Sequence, residues 1–367
     1  MKEEKYTCDI CHEERDLSEL TYFDESYLCE DCLRRETFIC RDCGDRHWND
    51  DSADGDLCQT CYDEDYVRCE RCDAVIHYDD ACYHEDEEYH DHPYCRDCFD
   101  MDEIIHDYYY KPEPIFYGDG PRYLGVELEL DDGGENEFCA SKLLDIANAK
   151  KEHMYIKHDG SLDDGFECVT HPMTLDYHIN QMPWRAILNK AVAKGYLSHQ
   201  AGTCGLHVHI SRNALGANYE EQEATIAKIL YFYEKFWNEI LTFSRRTESQ
   251  AEHWARRYGG GIINPKETLK HAKNSHMGRY AAVNLENEAT IEMRIFRGTL
   301  KYNTFIATLQ MVDEICKVAI SLSDEFMQGL TWLDFVKGIA DGKQELINYL
   351  KEKRLYVNEP IRNEVEI

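Results

Sequence analysis

Six Cys-x-x-Cys pairs crowd into the first 100 residues and restrict what that stretch can become. They are Cys8/Cys11, Cys29/Cys32, Cys40/Cys43, Cys58/Cys61, Cys69/Cys72 and Cys95/Cys98. Each such turn aims two thiolates at one point, and two turns close a tetrahedral shell around Zn²⁺. The pairs form three repeats that begin 32 and then 29 residues apart, with internal spacers of 17, 14 and 22 residues. A fixed period of this kind signals an array. The flanks repeat too, since the second pairs read LCEDC, LCQTC and YCRDC. Aliphatic residues are sparse here, so folding is expected to depend on bound metal. One Zn²⁺ per repeat, about three structural ions, is the simplest assignment. A cross-braced arrangement of alternate pairs fits the count equally well. Cys82, His77, His84, His90 and His92 crowd the third spacer and read first as exposed polar loop, with an extra or substituted ligand as the alternative.

Charge divides the chain at the same place. Residues 1–110 hold 35 Asp and Glu against 10 Lys and Arg, whereas the other 257 residues hold 37 against 30. With a net charge of −32, nucleic acid and acidic membranes are the wrong partners to expect, because their binders collect Lys and Arg. The acidic front is expected to bind a protein or a basic peptide. No apolar run approaches the roughly 18–20 residues of a spanning helix. The opening MKEEKYTCDI lacks the basic-then-apolar pattern of a secretory leader, so a cytoplasmic location and metal-bound rather than disulfide-bonded cysteines are expected. The organisation read from these signals is a zinc array at 1–100, a Pro- and Gly-marked linker at 101–122, and a globular domain at 123–367.

Three short segments of that domain share one alternation: YLGVELEL at 123–130, GLHVHIS at 205–211 and TIEMRIF at 290–296. Successive strand side chains face opposite sides. Val126, Leu128 and Leu130 therefore oppose Glu127 and Glu129. Leu206, Val208 and Ile210 oppose His207, His209 and Ser211, and Ile291, Met293 and Ile295 oppose Glu292 and Arg294. One face must pack on helices, while the other carries acids, imidazoles and a guanidinium together. Simple burial of such charges is costly, and a site for cations and anions explains them. A fourth stretch, HDGSLDDGFECVTHP at 158–172, adds an Asp-Gly turn at Asp159 and a further acid at Glu167. The domain is expected to be α+β, a mainly antiparallel sheet with a polar face, backed by helices.

GVELE, HDGSL with its following ECVTHP, GLHVHIS and IEMRIFR, in this order, resemble the amidoligase family. That family is grouped with glutamine synthetase and γ-glutamylcysteine ligase among carboxylate–amine ligases, and the resemblance runs from Tyr123 to about Asp324. It implies a glutamine synthetase-like catalytic fold and an ATP-dependent ligase. The carboxylate would attack the γ-phosphoryl group to give an acyl phosphate, which an amine then displaces. The resemblance further implies that Glu127, Glu129, Glu167, His207 and Glu292 hold Mg²⁺ (or Mn²⁺). His209, Arg294 and Arg297 would contact ATP phosphates. Glu127, Glu129, Asp159 and Arg294 would be the catalytic set, with Asp159 on the substrate side. Arg297 has the parity opposite to Arg294, so its role requires a bulge or a strand end. ECVTHP, with His171 before the proline, departs from the family pattern at Glu167.

Helices are expected at 218–246 and 305–322 from their apolar spacing, and one or two short helices at 335–355. Cys139, Cys168, Cys204 and Cys316 read as packed cysteines rather than nucleophiles. Residues 245–279 are locally basic around Gly259, Gly260 and Gly261 and are a candidate phosphate- or substrate-contacting loop. The substrates expected are a carboxylate and an amine, free or within a peptide or protein. Two other functions compete: a zinc-based interaction scaffold with an inactive ligase-like domain, and a metallohydrolase built on His207 and His209. The hydrolase lacks an H-E-x-x-H helix and an evident general base.

Overall fold

The computed structural model describes residues 5–83, 92–99, 103–259, 264–275 and 277–356. The chain divides into two compact units, Met1–Asp102 and Glu103–Ile367. No helix among the described residues is long and apolar enough to cross a membrane.

The first unit repeats one small motif three times. In the first repeat Lys5–Thr7 pairs with Glu14–Asp16, Leu20–Phe23 pairs with Ser26–Cys29, and a helix follows at Glu30–Glu36. The second repeat pairs Thr37–Ile39 with Arg46–Trp48 and Ser52–Asp54 with Leu57–Cys58, then forms the helix Gln59–Asp65. The third pairs Tyr66–Arg68 with Val75–His77, carries a Cys82–Tyr94 bridge, and ends in the turn of helix Arg96–Phe99. The residue after each first Cys pair turns the chain through a positive φ: 60° at His12, 76° at Gly44 and 63° at Asp73. Only Gly44 adopts it without a Cβ penalty. Apolar support is thin. In the first repeat the buried cluster is Cys8, Leu28, Cys29 and Cys32, and in the second Cys40, Leu57, Cys58 and Cys61.

The second unit is built on one seven-stranded sheet. Along the chain come β1 (Ile105–His106), β2 (Leu124–Leu130), helix α1 (Glu137–Ala147), β3 (Met154–Lys157), β4 (Phe166–Thr170) and α2 (Trp184–Ala193). Then follow β5 (Leu206–Ser211), α3 (Tyr219–Lys235), β6 (Val283–Asn284), β7 (Thr290–Met293), α4 (Tyr302–Ser321) and α5 (Gln344–Glu352). The spatial order is β1-β3-β4-β2-β5-β7-β6. Only β1 and β3 run parallel, so the sheet is mainly antiparallel and the α+β expectation holds. Val126, Leu128, Leu130, Leu206, Val208, Ile210, Ile291 and Met293 are all at most 1% exposed and join one core with Trp184, Ile226, Phe305 and Leu309 of the helices. Alternation alone thus sorts each strand into a helix-facing side and a polar side.

Helix ends follow local chemistry. Asn136 accepts from the Cys139 N–H at 2.8 Å to cap α1, and Asn218 accepts from the Glu221 N–H at 3.0 Å to cap α3. The helix expected at 218–246 is two: α3 ends at Lys235, and Trp237–Ser244 continues before Arg245 turns left-handed at φ 68°. The one or two short helices expected at 335–355 are two, Trp332–Lys337 and α5. Cys168, Cys204 and Cys316 are buried as expected, and Cys139 is half-buried.

The stretch expected as a linker is built into this unit from residue 103 onward. β1 extends the sheet beside β3. Tyr117 is buried, its hydroxyl donating to the Glu152 carbonyl at 2.7 Å, and Arg122 reaches Asp313 at 2.7 Å. Proline and glycine here shape a wrapping segment rather than a spacer.

Candidate functional site

Strand register assembles the polar face. Glu127 stands opposite His207, Glu129 opposite Glu167, and His209 opposite Glu292. Further out, Lys157 of β3 stands opposite Glu167 and Asn284 of β6 opposite Glu292. The His207 imidazole is the hub. Its Nδ1 lies 3.3 Å from Glu127 and 3.5 Å from Glu292, and its Nε2 lies 3.6 Å from Glu129. Two groups therefore gather donor atoms within 4.8 Å of one another: Glu127, His207 and Glu292, and Glu129, Glu167 and His207. Adjacent ligands of a six-coordinate Mg²⁺ are spaced about 3 Å apart, given metal–oxygen distances of about 2.1 Å, so these separations suit such ions.

Supporting contacts fix the donors. The Gly205 N–H donates to Glu129, and a Cβ at Gly205 would stand 2.4 Å from His207 Nε2. Glycine is needed there for the imidazole to lie where it does. Asn284 donates to Glu292 at 2.8 Å, and Arg294 reaches the other Glu292 oxygen at 2.5 Å. Lys157 sits 3.1 Å from Glu167.

The electrostatics show acids short of positive charge. Burial raises Glu167 well above the usual carboxylate range, and Glu127 adds to the rise while Lys157 opposes it. Burial also raises Glu129, against the pull of His207. Glu127 moves well below its ordinary value: burial opposes this, but His209 and His207 outweigh it. His209 is raised, because Glu127 overcomes its burial. Its Nε2 lies 3.0 Å from Glu127 yet is not aligned for a hydrogen bond, and Nε of Arg294 is likewise buried without a partner. Buried carboxylates pushed toward protonation beside imidazole nitrogens are a donor set that divalent cations fit.

The polar face floors a cleft of about 840 Å³. Glu127, Glu129, Asp159, Glu167, His207, His209, Glu292 and Arg294, the residues expected from the sequence, all line it. Arg297 does not; β7 ends at Met293, and Arg297 instead bridges to Gly205. Among the lining residues that were not singled out from the sequence are Lys157, Asn284 and Tyr155, and Arg246 was included only within a longer basic segment. Lys157 and Tyr155 obey the same alternation, Met154 and Ile156 being buried, so the signal was present in a very short strand. Arg246 belongs to the basic segment at 245–279; it is 6% exposed, donates through Nε to the Ile295 carbonyl at 3.1 Å, and leaves Nη1 unpartnered. Burial lowers it to about 10, against the pull of Glu129. Trp254 and Arg279 of that segment also line the cleft, while Gly260 and Gly261 lie outside the described residues.

The first unit holds three Cys₄ groups, each within one repeat: Cys8, Cys11, Cys29 and Cys32; Cys40, Cys43, Cys58 and Cys61; Cys69, Cys72, Cys95 and Cys98. The sequential arrangement, not the cross-braced one, is the observed one. Burial opposes ionisation of Cys8, yet backbone N–H groups of Cys11, Cys29 and Ile10 bring it down to about 6. Cys40 falls to about 6 in the same way, whereas burial and the neighbouring sulfurs raise Cys32 to about 12. Four thiols in one place cannot all ionise without a cation, and Zn²⁺ satisfies them together. Among the described residues Cys82, His77 and His92 join none of these groups, and His84 and His90 lie outside the described residues. Cys82 is instead buried by its bridge to Tyr94.

No curated protein matches the chain. Residues 144–316, which carry Glu167, His207, His209, Glu292 and Arg294, match the family model described as "Putative amidoligase enzyme", a similarity that supports a ligase-like function for this part of the chain.

Proposed function

We propose that the second unit is an ATP-dependent carboxylate–amine ligase whose zinc-binding first unit recruits the substrate or a partner protein. The observation that best supports this is the shared imidazole of His207, set between two carboxylate groups and beside Arg294. Glu127, His207 and Glu292 would hold one divalent cation (Mg²⁺ or Mn²⁺), and Glu129, Glu167 and His207 a second. When bound, such ions neutralise phosphate charge. His209 and Arg294 face the cleft where phosphate oxygens would lie, the planar guanidinium matching two oxygens at once. A substrate carboxylate oxygen attacks the γ-phosphorus and ADP leaves. The amine then attacks the acyl carbon and phosphate leaves. Asp159, held by its own turn and free of a cation partner among the described residues, faces the cleft and is assigned to the amine.

Calorimetry of ATP with the full chain tests this. Binding that requires Mg²⁺, and that disappears in Glu127→Gln/Glu129→Gln while zinc content is unchanged, is expected. A folded wild type that binds no Mg²⁺–ATP, or a variant that binds it equally well, overturns the reading. For the first unit, the acidic excess favours a basic peptide segment as partner. Salt-dependent capture of a Lys/Arg-rich peptide is expected, and preference for duplex DNA would exclude it.

A further inference from the structure

Three cationic side chains and an imidazole outside the cleft lining come together where the loop before β5, the chain after β7 and the end of α5 meet: Arg245, Arg297, Lys353 and His199. Arg245 donates to the Arg297 carbonyl and, at 3.4 Å, to the Tyr349 hydroxyl. Lys353 places its ammonium 5.4 Å from the centre of the Tyr349 ring. The Arg297 N–H donates to the Ser244 carbonyl at 3.1 Å, and Gly298 donates to Cys204 at 2.9 Å. Glycine at 298 lets the neighbouring loop close in, since a Cβ there would stand 2.1 Å from Ser198 Oγ, next to His199.

The cluster lacks, among the described residues, what such clusters need. Among the described residues none of the four lies within ion-pair distance of a carboxylate, in a chain of net charge −32. Nε of Arg245, Nε of Arg297 and Nδ1 of His199 are closed off from solvent with no hydrogen-bond partner. Buried donors of this kind carry a desolvation cost that only an acceptor relieves. Mutual repulsion shows in the electrostatics: burial and then Arg297, Arg245 and Lys353 lower His199, and burial with Arg245 lowers Arg297. Arg245 also holds a left-handed backbone at φ 68°, an arrangement that costs energy in a non-glycine residue. Two guanidiniums, an ammonium and an imidazole gathered in one place match a compact multivalent oxyanion, which accepts several N–H groups at once. We propose that His199, Arg245, Arg297 and Lys353 form a binding site for a small phosphate-type oxyanion, distinct from the catalytic cleft. The site stands whether or not the second unit is a ligase.

Orthophosphate titrated by calorimetry into the zinc-loaded full chain, without Mg²⁺, tests it. One bound phosphate is expected, weakened at least tenfold in Arg297→Gln and in Lys353→Gln, and unchanged in Glu127→Gln/Glu129→Gln. Lys353 is partly exposed, so its variant decides should Arg297→Gln fail to fold. Competition by methyl phosphate at similar strength assigns the site to phosphorylated ligands, and its exclusion assigns the site to free phosphate. Absence of binding, equal binding by both single variants, or loss in the Glu variant with retention in Lys353→Gln overturns the proposal.

Discussion

His178 makes the second unit acid-sensitive by a calculable amount. It is fully buried beneath the start of β2, the strand that carries Glu127 and Glu129. The Trp184 indole donates to its Nδ1 at 3.2 Å, so the neutral ring carries its proton on Nε2 and donates that to the Leu124 carbonyl at 3.0 Å. A second proton on Nδ1 would break the indole bond and leave an unpaired buried charge. Burial accordingly lowers His178 from 6.5 to about 4, although the bond to Leu124 pulls the other way. With the folded value below the unfolded one, the native state binds fewer protons between these limits. Stability is fully present above pH 6.5 and drains away as pH falls toward 4. The loss is about 2 kcal/mol at pH 5 relative to pH 7.5, rising to about 3 kcal/mol near pH 4.

The comparison variant is His178→Gln, which keeps a donor and an acceptor but cannot gain a proton. Urea unfolding of the zinc-saturated full chain, followed by tryptophan fluorescence, gives stability at pH 7.5 and pH 5. Other groups titrate in both proteins and cancel in the difference. The wild type should lose about 2 kcal/mol more than the variant over this interval. Losses equal to within about 0.5 kcal/mol would refute the argument, since the neutral buried imidazole would then have no role in the pH dependence.

Other perturbations bear on the two candidate metal regions. Gly205→Ala puts a Cβ 2.4 Å from His207 Nε2 and should displace the hub imidazole, weakening divalent-cation binding about 10- to 100-fold, as measured by Mn²⁺ paramagnetic titration, with the circular dichroism unchanged. Lys157→Met removes the cation 3.1 Å from buried Glu167; about 3 kcal/mol of stability should be lost in urea titrations, and millimolar Mg²⁺ should restore part of it. Chelation of the full chain should release three zinc ions and expose the first unit to limited proteolysis, because its buried clusters are mostly the ligating cysteines themselves. Resistance of the metal-free first unit to protease would mean that its apolar contacts suffice alone.

The polar face was legible because its strands have one packed side and one functional side. Under that constraint a period of two leaves Glu127, His207 and Glu292 no other place to point. The zinc groups were legible for a different reason: ligand spacing is set by the geometry of one turn, which is local. What escaped depended on pairing between distant segments. Lys157 becomes significant only because β3 lies beside β4, which sets it opposite Glu167, and nothing in MYIK itself announces that neighbour. Residues 103–122 read as a spacer because Pro and Gly are local signals. The hydrogen bonds of β1 and the contact from Arg122 to Asp313, 191 residues away, are not.

Arg297 shows the limit most clearly, because its parity was read correctly and its neighbours were not. Opposite parity to Arg294 either needed a bulge to bring it round to the cleft or sent it elsewhere. β7 ends at Met293, and the chain returns to pair Arg297 with Gly205, beside Arg245. A sequence reading that sees only one anion site assigns every nearby arginine to it. The fold instead separates Arg294, which is paired with Glu292 in an acid-rich cleft, from Arg245 and Arg297, which reach no carboxylate among the described residues. Cations with acids beside them are already balanced and can act on a bound substrate. Cations held together without acids among the described residues are a stored cost that a returning anion would relieve.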